Sequence, residues 1–174
     1  MTVLDTNPAD AYANDRKHVF HSWSAQGALS PVVVERAQGS EFWTQDGKKY
    51  LDFSSQLVNV NIGHQHPKLV AAIKEYADRL CTVAPFHAND ARSEAARLIT
   101  EVAATNIANC DLDMVFFTNG GAEATENAVR MARLHTGRHK VLNHYRSYHG
   151  ATAGAITLTG DPRRWPRGPG MPGV

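Results

Sequence analysis

The 174-residue sequence lacks the features that mark several large classes of protein. Two cysteines, Cys81 and Cys110, are too few and too far apart for a disulfide framework or a cysteine-ligated zinc site. The net charge of +1 gives no strong basic field to attract nucleic acid, and the local basic cluster at residues 163–167 is expected to be a solvated loop. No apolar run is long enough to cross a membrane, and no signal segment opens the chain. These absences predict a cytoplasmic protein with neither a nucleic-acid nor a membrane partner.

Two common phosphate-binding motifs and a metal site are also missing. Neither the G-x-x-x-x-G-K-[ST] of a P-loop nor the G-x-G-x-x-G of a dinucleotide fold is present. His18 and His21 have i, i+3 spacing, and His64 and His66 lie in a predicted loop, but neither pair has an evident third ligand. We therefore expect no metal, and we expect any phosphate site to use a different motif.

What the sequence does contain is one stretch around which the rest is organised, residues 115–137. Residues 115–118 are apolar, aromatic and β-branched and predict a strand, and residues 119–121 (Asn-Gly-Gly) predict a turn. Residues 122–136 have apolar side chains at helical spacing, and Gly137 follows where a helix would end. The first N–H groups of such a helix lack backbone partners and lie at the positive end of its dipole, which suits a phosphate. An ordinary strand-to-helix connection remains the alternative.

Strand and helix patterns continue on both sides of this stretch. Residues 140–143 predict a strand after the helix, and a strand–helix–strand step favours a parallel sheet. Tyr148 and His149 follow that strand, and ligands of open α/β sheets bind beyond the C-terminal ends of strands. The other predictions are a loose arm at 1–15, strands at 32–37, 41–44 and 50–53 with a turn at 45–48, helices at 68–80 and at 90–104 with Asp90 as cap, and a short helix at 152–159.

Five stretches of the sequence carry a family resemblance: HSWSAQ, LDFSSQLVNVNIGHQHP, TNGGAEATENAVRMAR, YRSYHG and LTGDPRRW. Together they resemble the class III (ω-type) aminotransferases, and within that class their residues are most similar to those of the taurine aminotransferases. The resemblance implies the α/β architecture of pyridoxal-phosphate (PLP)-dependent transferases of fold type I. By this resemblance residues 1–66 form an N-terminal arm and a small-domain β-meander. Residues 67–174 then form the first, incomplete part of the PLP-binding large domain, with its mainly parallel sheet.

The resemblance implies a PLP site built from the central stretch and the YRSYHG motif. Gly120, Gly121 and Ala122 match the phosphate cradle, although many family members have serine in place of Ala122 and so gain a hydroxyl donor. Tyr148 matches the aromatic residue that stacks on the cofactor ring, and His149 lies beside it. An ordinary core tyrosine is the alternative for Tyr148.

The same resemblance implies a substrate pocket and an active site at a homodimer interface. Trp23, Leu57 and Val58 match positions that line the substrate. Phe86 lies in a segment that reaches the neighbouring subunit's site in the family. A buried structural anchor is the alternative for Trp23.

Two parts of the PLP chemistry are expected outside residues 1–174. None of the six lysines matches the Schiff-base context of the family, so we predict no catalytic residue in this chain and a Schiff-base lysine beyond Val174. The acidic partner of the pyridine nitrogen is expected there too. Together with the Pro/Gly-rich end of the chain, these omissions predict an N-terminal fragment.

The predicted activity is an amino-group transfer from an ω-amine donor to a 2-oxo acid by a ping-pong route. Taurine is the first expected donor, followed by β-alanine or 4-aminobutyrate. One alternative keeps the fold but changes the reaction to that of a PLP-dependent decarboxylase or aminomutase. The other alternative is an inactive, truncated chain that binds no cofactor.

Overall fold

The structure is a computed structural model that describes residues 8–168 and 170–172. The chain divides into two compact units, of which the first ends at Ala84 and the second begins at Pro85. The domain division predicted between residues 66 and 67 concerns the whole protein and stays a prediction. In the described part of the chain, no helix is both long and apolar enough to cross a membrane.

The first unit contains the predicted β-meander. Strands β1 (Val34–Gln38), β2 (Glu41–Thr44) and β3 (Lys49–Leu51) form an antiparallel sheet in the order β1-β2-β3. Aromatic cross-strand contacts stabilise it: Phe42 stacks on Tyr50 with 5.1 Å between ring centroids. The predicted turn at 45–48 joins β2 to β3, so local sequence alone specified this sheet.

The loose arm predicted at residues 1–15 is wrong for the part that the structure describes. Helix α1 spans Ala11–His18, although it has no buried residue and no apolar stripe. Polar contacts hold it instead: Arg16 Nη2 donates to the main-chain oxygen of Gln26 at 2.5 Å. A helix that is fixed by side-chain hydrogen bonds leaves no hydrophobic periodicity for sequence analysis to detect.

Two helical segments follow the meander. The short turn α2 (Ser55–Val58) is left-handed, since all four residues have positive φ, between 48° and 65°. Helix α3 (Pro67–Arg79) begins with Pro67 at its first position, which confirms the predicted helix start because proline suits the first turn.

The second unit is helical in the described residues. It contains α4 (Asp90–Asn106), α5 (Gly121–Thr136), α6 (Ala153–Leu158) and a 3₁₀ segment at Pro162–Arg167. The cap of α4 is Asn89 rather than Asp90, because the Asn89 side chain accepts the N–H of Arg92 at 2.8 Å. Helix α5 ends at Gly137, which has φ of 67°, as predicted.

The strands predicted at residues 115–118 and 140–143 are not formed among the described residues. A strand requires a neighbour that pairs with its N–H and C=O groups, and neither segment has one there. Leu142 is 98% exposed, so its segment also lacks a covering layer. Both segments have the residue composition of strands, but composition does not supply the neighbouring strand with which they would pair.

The buried apolar core is small. Ala155, Ile156 and Leu158 of α6 are its buried hydrophobic residues among those described. By contrast, Leu69 and Ile73 on α3 are 48% and 59% exposed, although these two residues lie on one apolar stripe.

Candidate functional site

The first turn of α5 provides free main-chain N–H groups. Gly120 is the N-cap, and the first intrahelical bond runs from the N–H of Ala124 to the oxygen of Gly120 at 3.1 Å. The N–H groups of Gly121 and Ala122 precede that bond, so the helix itself gives them no acceptor. A Cβ placed on Gly120 or Gly121 would meet no atom within 4 Å, so neither position is crowded.

The YRSYHG segment packs directly on this helix end. Gly150 has φ of 131°, and a Cβ there would lie 2.5 Å from the Cβ of Ala122. Only glycine allows that close approach with that backbone conformation. Tyr148 and His149 directly precede Gly150, so the structure brings this part of the chain next to the predicted cradle.

Two hydrogen bonds fix the segment from its other side. The N–H of His149 donates to Thr159 Oγ1 at 3.1 Å, and the N–H of Gly160 donates to the oxygen of Ser147 at 2.9 Å. Residues 147–149 are thus tied to the C-terminal end of α6. Tyr148 keeps 43% of its surface exposed, so it is not the core tyrosine of the alternative interpretation.

Glu126 joins α5 to α6, a role that the sequence did not reveal. Its Oε1 accepts three hydrogen bonds, from Thr152 Oγ1 at 2.7 Å and from the N–H groups of Gly154 at 2.7 Å and Ala155 at 3.1 Å. A side chain on Gly154 would overlap this carboxylate. The hydrogen bond from Thr152, with those from Ala155 and Gly154, holds the pKa of Glu126 below its usual value.

Replacing Glu126 with glutamine should lower stability in a pH-dependent way. The glutamine keeps an acceptor but loses the charge, so we expect a cost of about 1 kcal/mol near pH 7. Because the folded pKa is depressed, the carboxylate stabilises the fold above its ordinary pKa of 4.5 and loses that contribution as pH falls through the folded value.

Unfolding of the two proteins at pH 7 and pH 4 would measure this difference. Glu101→Gln is the matched control, because Glu101 makes an exposed ion pair with Arg97 on α4 and should have little effect. A Glu126→Gln penalty that stays constant between the two pH values would contradict the charge-based account.

The basic cluster at residues 163–167 is not the solvated loop predicted from composition. It forms the 3₁₀ segment, and Asp161, its N-cap, accepts the N–H of Arg163 at 2.9 Å. The guanidinium of Arg163 lies over the Tyr148 ring, 4.2 Å from the ring centroid. The dipeptide Asp161-Pro162 is a sequence signal for the start of a helix. No sequence signal indicated the contact between Arg163 and Tyr148.

The predicted substrate residues of the first unit lie on the strained turn α2. Leu57 and Val58 have φ of 58° and 65° and are 85% and 73% exposed. Left-handed backbone is costly for a β-branched residue such as Val58, and such strain concentrates at functional sites.

A hydrogen bond between His64 and Asp52 holds α2 in place. His64 Nε2 lies 2.7 Å from Asp52 Oδ2, and the Asp52 side chain is only 3% exposed. Asp52 also accepts the main-chain N–H of Gln56 at 3.3 Å and its side-chain amide at 3.1 Å. The hydrogen bond from His64 is the main reason why the pKa of Asp52 falls to about 2. His64 therefore has a structural partner that the His-x-His pattern did not indicate.

Trp23 and Phe86 are surface residues. Trp23 has φ of 56° and is 48% exposed, which argues against the buried-anchor interpretation. Phe86 is 84% exposed and contacts His87, with 4.5 Å between ring centroids. Their roles toward substrate stay predictions.

The described residues of the second unit fit part of PLP. A helix N-terminus with N–H groups that the helix leaves without an acceptor suits its phosphate, and a half-exposed aromatic ring in the segment packed on that helix suits its pyridine ring. The cradle consists of main-chain groups at Ala122, where a hydroxyl donor is absent. These residues can hold and orient the cofactor.

Comparison with known proteins identifies the family of the chain. Residues 23–172 match the family model of the class-III aminotransferases. The acetylornithine aminotransferase of Bacillus anthracis is 36% identical over 143 residues, which are 82% of this chain and 34% of the relative. The ornithine aminotransferase of Emericella nidulans is 37% identical over an alignment of 183 positions, which covers 92% of this chain and 39% of the relative.

Solved structures show the same fold. The taurine:2-oxoglutarate aminotransferase of Bifidobacterium kashiwanohense, solved with PLP and glutamate, is 41% identical, with a TM-score of 0.88 over 98% of this chain and 37% of that one. An S-selective transaminase of Arthrobacter sp. is 36% identical with a TM-score of 0.81, over 88% of this chain and 33% of that one. The predicted fold type I is confirmed, and PLP is the cofactor of this family. The chain spans little more than a third of these relatives, and the match over residues 23–172 shows that it belongs to the class-III aminotransferases.

Proposed function

We propose that the whole protein is a PLP-dependent aminotransferase that transfers the amino group of an ω-amine, with taurine as the first donor, to a 2-oxo acid. The observation that supports this proposal is the close approach of Gly150 to Ala122, which brings the YRSYHG segment against the first turn of α5. The class-III family match supports the reaction type.

The residues of this chain bind and orient the cofactor. The N–H groups of Gly121 and Ala122 receive the phosphate, and the positive end of the α5 dipole favours its charge. Tyr148 packs against the pyridine ring, and His149 borders it with its N–H held by Thr159. When bound, PLP supplies the electron sink for the amine carbon.

Four residues of this chain are assigned to the substrate. Trp23, Leu57 and Val58 line the amine pocket, and the hydrogen bond between His64 and Asp52 holds the strained turn that presents Leu57 and Val58. Phe86 contributes from its exposed segment to the active site of a homodimer. The assignment of Trp23, Leu57 and Val58 follows the family resemblance of the two motifs that contain them, and that of Phe86 follows the resemblance of its segment.

The donor is the least determined part of the proposal. The 41% identical solved relative is named for taurine and 2-oxoglutarate, which supports an amino-sulfonate. Relatives at 36% and 37% identity are named for acetylornithine and ornithine, which makes these amines the second candidates.

A donor comparison with the whole protein would test the assignment. We expect taurine to be used with kcat/KM at least about tenfold above that of ornithine or N-acetylornithine, with pyruvate or 2-oxoglutarate as acceptor, since the site must bind a sulfonate. β-Alanine is the matched control, because it has the same chain length and replaces the sulfonate with a carboxylate. Good turnover of ornithine without turnover of taurine would overturn the donor and leave the aminotransferase reaction standing.

A further inference from the structure

The segment that follows α6 presents an arginine to the ring of Tyr148. The Arg163 guanidinium carbon lies 4.2 Å from the ring centroid, within the range of a cation–π contact. A guanidinium plane at that distance covers one face of a phenol ring. The cofactor assignment uses Tyr148 but leaves this arginine without a role.

Asp161 fixes the position of that guanidinium. Its Oδ1 accepts Arg163 Nε at 2.7 Å, and its Oδ2 accepts Arg163 Nη2 at 3.2 Å. Two parallel bonds of this kind set the plane of a guanidinium as well as its place. The hydrogen bond from Arg163 lowers the pKa of Asp161, so the pair stays charged at neutral pH.

The backbone holds this pair close to the YRSYHG segment. Gly160, next to Asp161, donates its N–H to the oxygen of Ser147 at 2.9 Å, next to Tyr148. A Cβ on Gly160 would lie 2.8 Å from the main-chain nitrogen of Arg146, so the two segments are in close contact. The backbone therefore fixes the position of Asp161 and Arg163 relative to Tyr148.

We propose that Arg163 is a positioning residue that occupies one face of the Tyr148 ring and thereby holds the opposite face ready for the pyridine ring of PLP. The fork to Asp161 fixes the guanidinium, and its contact with the Tyr148 ring at 4.2 Å restricts the orientation of that ring. A ring that is already oriented loses less conformational freedom when the cofactor binds. This inference rests on the proposed function of Tyr148.

A double-mutant cycle in the whole protein tests the coupling. The variants are Arg163→Gln, Tyr148→Leu and their combination, and the readouts are the PLP dissociation constant of the apo form and the circular dichroism band of the bound cofactor. We expect Arg163→Gln to weaken PLP binding by roughly twofold to fivefold and to alter the band. In the Tyr148→Leu background, the same change should have almost no effect, because the ring through which it acts is gone.

Two further variants separate position from charge and from folding. Arg163→Lys keeps the cation but loses the fork to Asp161, so its effect should approach that of Arg163→Gln. Arg138→Gln removes one exposed positive charge elsewhere in the second unit and should leave PLP binding unchanged. Thermal unfolding of each apo variant shows whether a loss of PLP affinity is due to misfolding. If Arg163→Gln misfolds, the PLP affinity of Arg163→Lys is compared with that of the unchanged protein instead.

The outcomes distinguish this inference from the proposed function. Equal weakening by Arg163→Gln with and without Tyr148 would overturn the positioning role, and so would unchanged affinity when Tyr148→Leu does weaken binding. If Tyr148→Leu itself leaves the dissociation constant and the band unchanged, the ring site fails and the positioning role fails with it.

Discussion

Replacing Gly121 with aspartate in the whole protein is expected to remove most of its PLP affinity. The new carboxylate would face a phosphate dianion at the start of α5. Two like charges about 5 Å apart repel by about 3 kcal/mol at an effective dielectric of about 20, so a loss of roughly 100-fold or more is expected.

The fold itself should tolerate this change. A Cβ on Gly121 meets no atom within 4 Å, and Gly121 is the first residue of α5. An acidic residue in the first turn interacts favourably with the helix dipole, so the apo protein should be as stable as before or more so. Weaker cofactor binding combined with undiminished stability is a pattern that misfolding does not produce.

Gly121→Asn provides the matched control because it has nearly the same size without the charge. A cofactor titration of both variants, together with thermal unfolding of their apo forms, would measure the effect. If the aspartate and asparagine variants lose the same affinity, the effect is steric. If neither loses affinity, this helix end does not hold the phosphate.

The 174-residue chain expressed alone is expected to have no transaminase activity and no covalent cofactor. None of the six lysines lies in a segment that the family resemblance brings to the cofactor carbon. No lysine of this chain is therefore expected to form the Schiff base.

The isolated chain should also associate in solution. Met131 and Leu134 on α5 are 46% and 77% exposed, and α3 has a similarly exposed stripe. Apolar helix faces of this kind are stable when another surface covers them, and in an isolated chain a second copy can do so. Light scattering at increasing concentration would detect the association.

Borohydride reduction in the presence of PLP, followed by mass spectrometry, would test for a covalent pyridoxyl-lysine. Stoichiometric labelling of one lysine, together with amine-to-oxo-acid turnover, would contradict the expected inactivity. Scattered labelling of several lysines at low occupancy would agree with it, because exposed amines react weakly with any aldehyde.

The sequence by itself determined the elements that depend on neighbours along the chain. Apolar spacing and a terminal glycine predicted α5 and its end at Gly137, and strand-forming residues around a turn predicted the meander. The glycines at residues 120–121 predicted the start of that helix, and their role as a phosphate cradle stays a prediction. These features follow from hydrogen bonds and side-chain contacts within a few residues, which leave a readable pattern.

Only the tertiary structure decided the contacts between segments that are distant in the chain. Glu126 accepts hydrogen bonds from residues 26 to 29 positions away in the sequence. The Arg163 guanidinium lies over the ring of Tyr148, which belongs to an earlier segment of the chain. The strand-like segment at 140–143 stays unpaired because pairing depends on a partner and not on its own composition. Side chains that meet across such separations follow no period, so the positions of Glu126 and Arg163 depend on how the backbone folds around them.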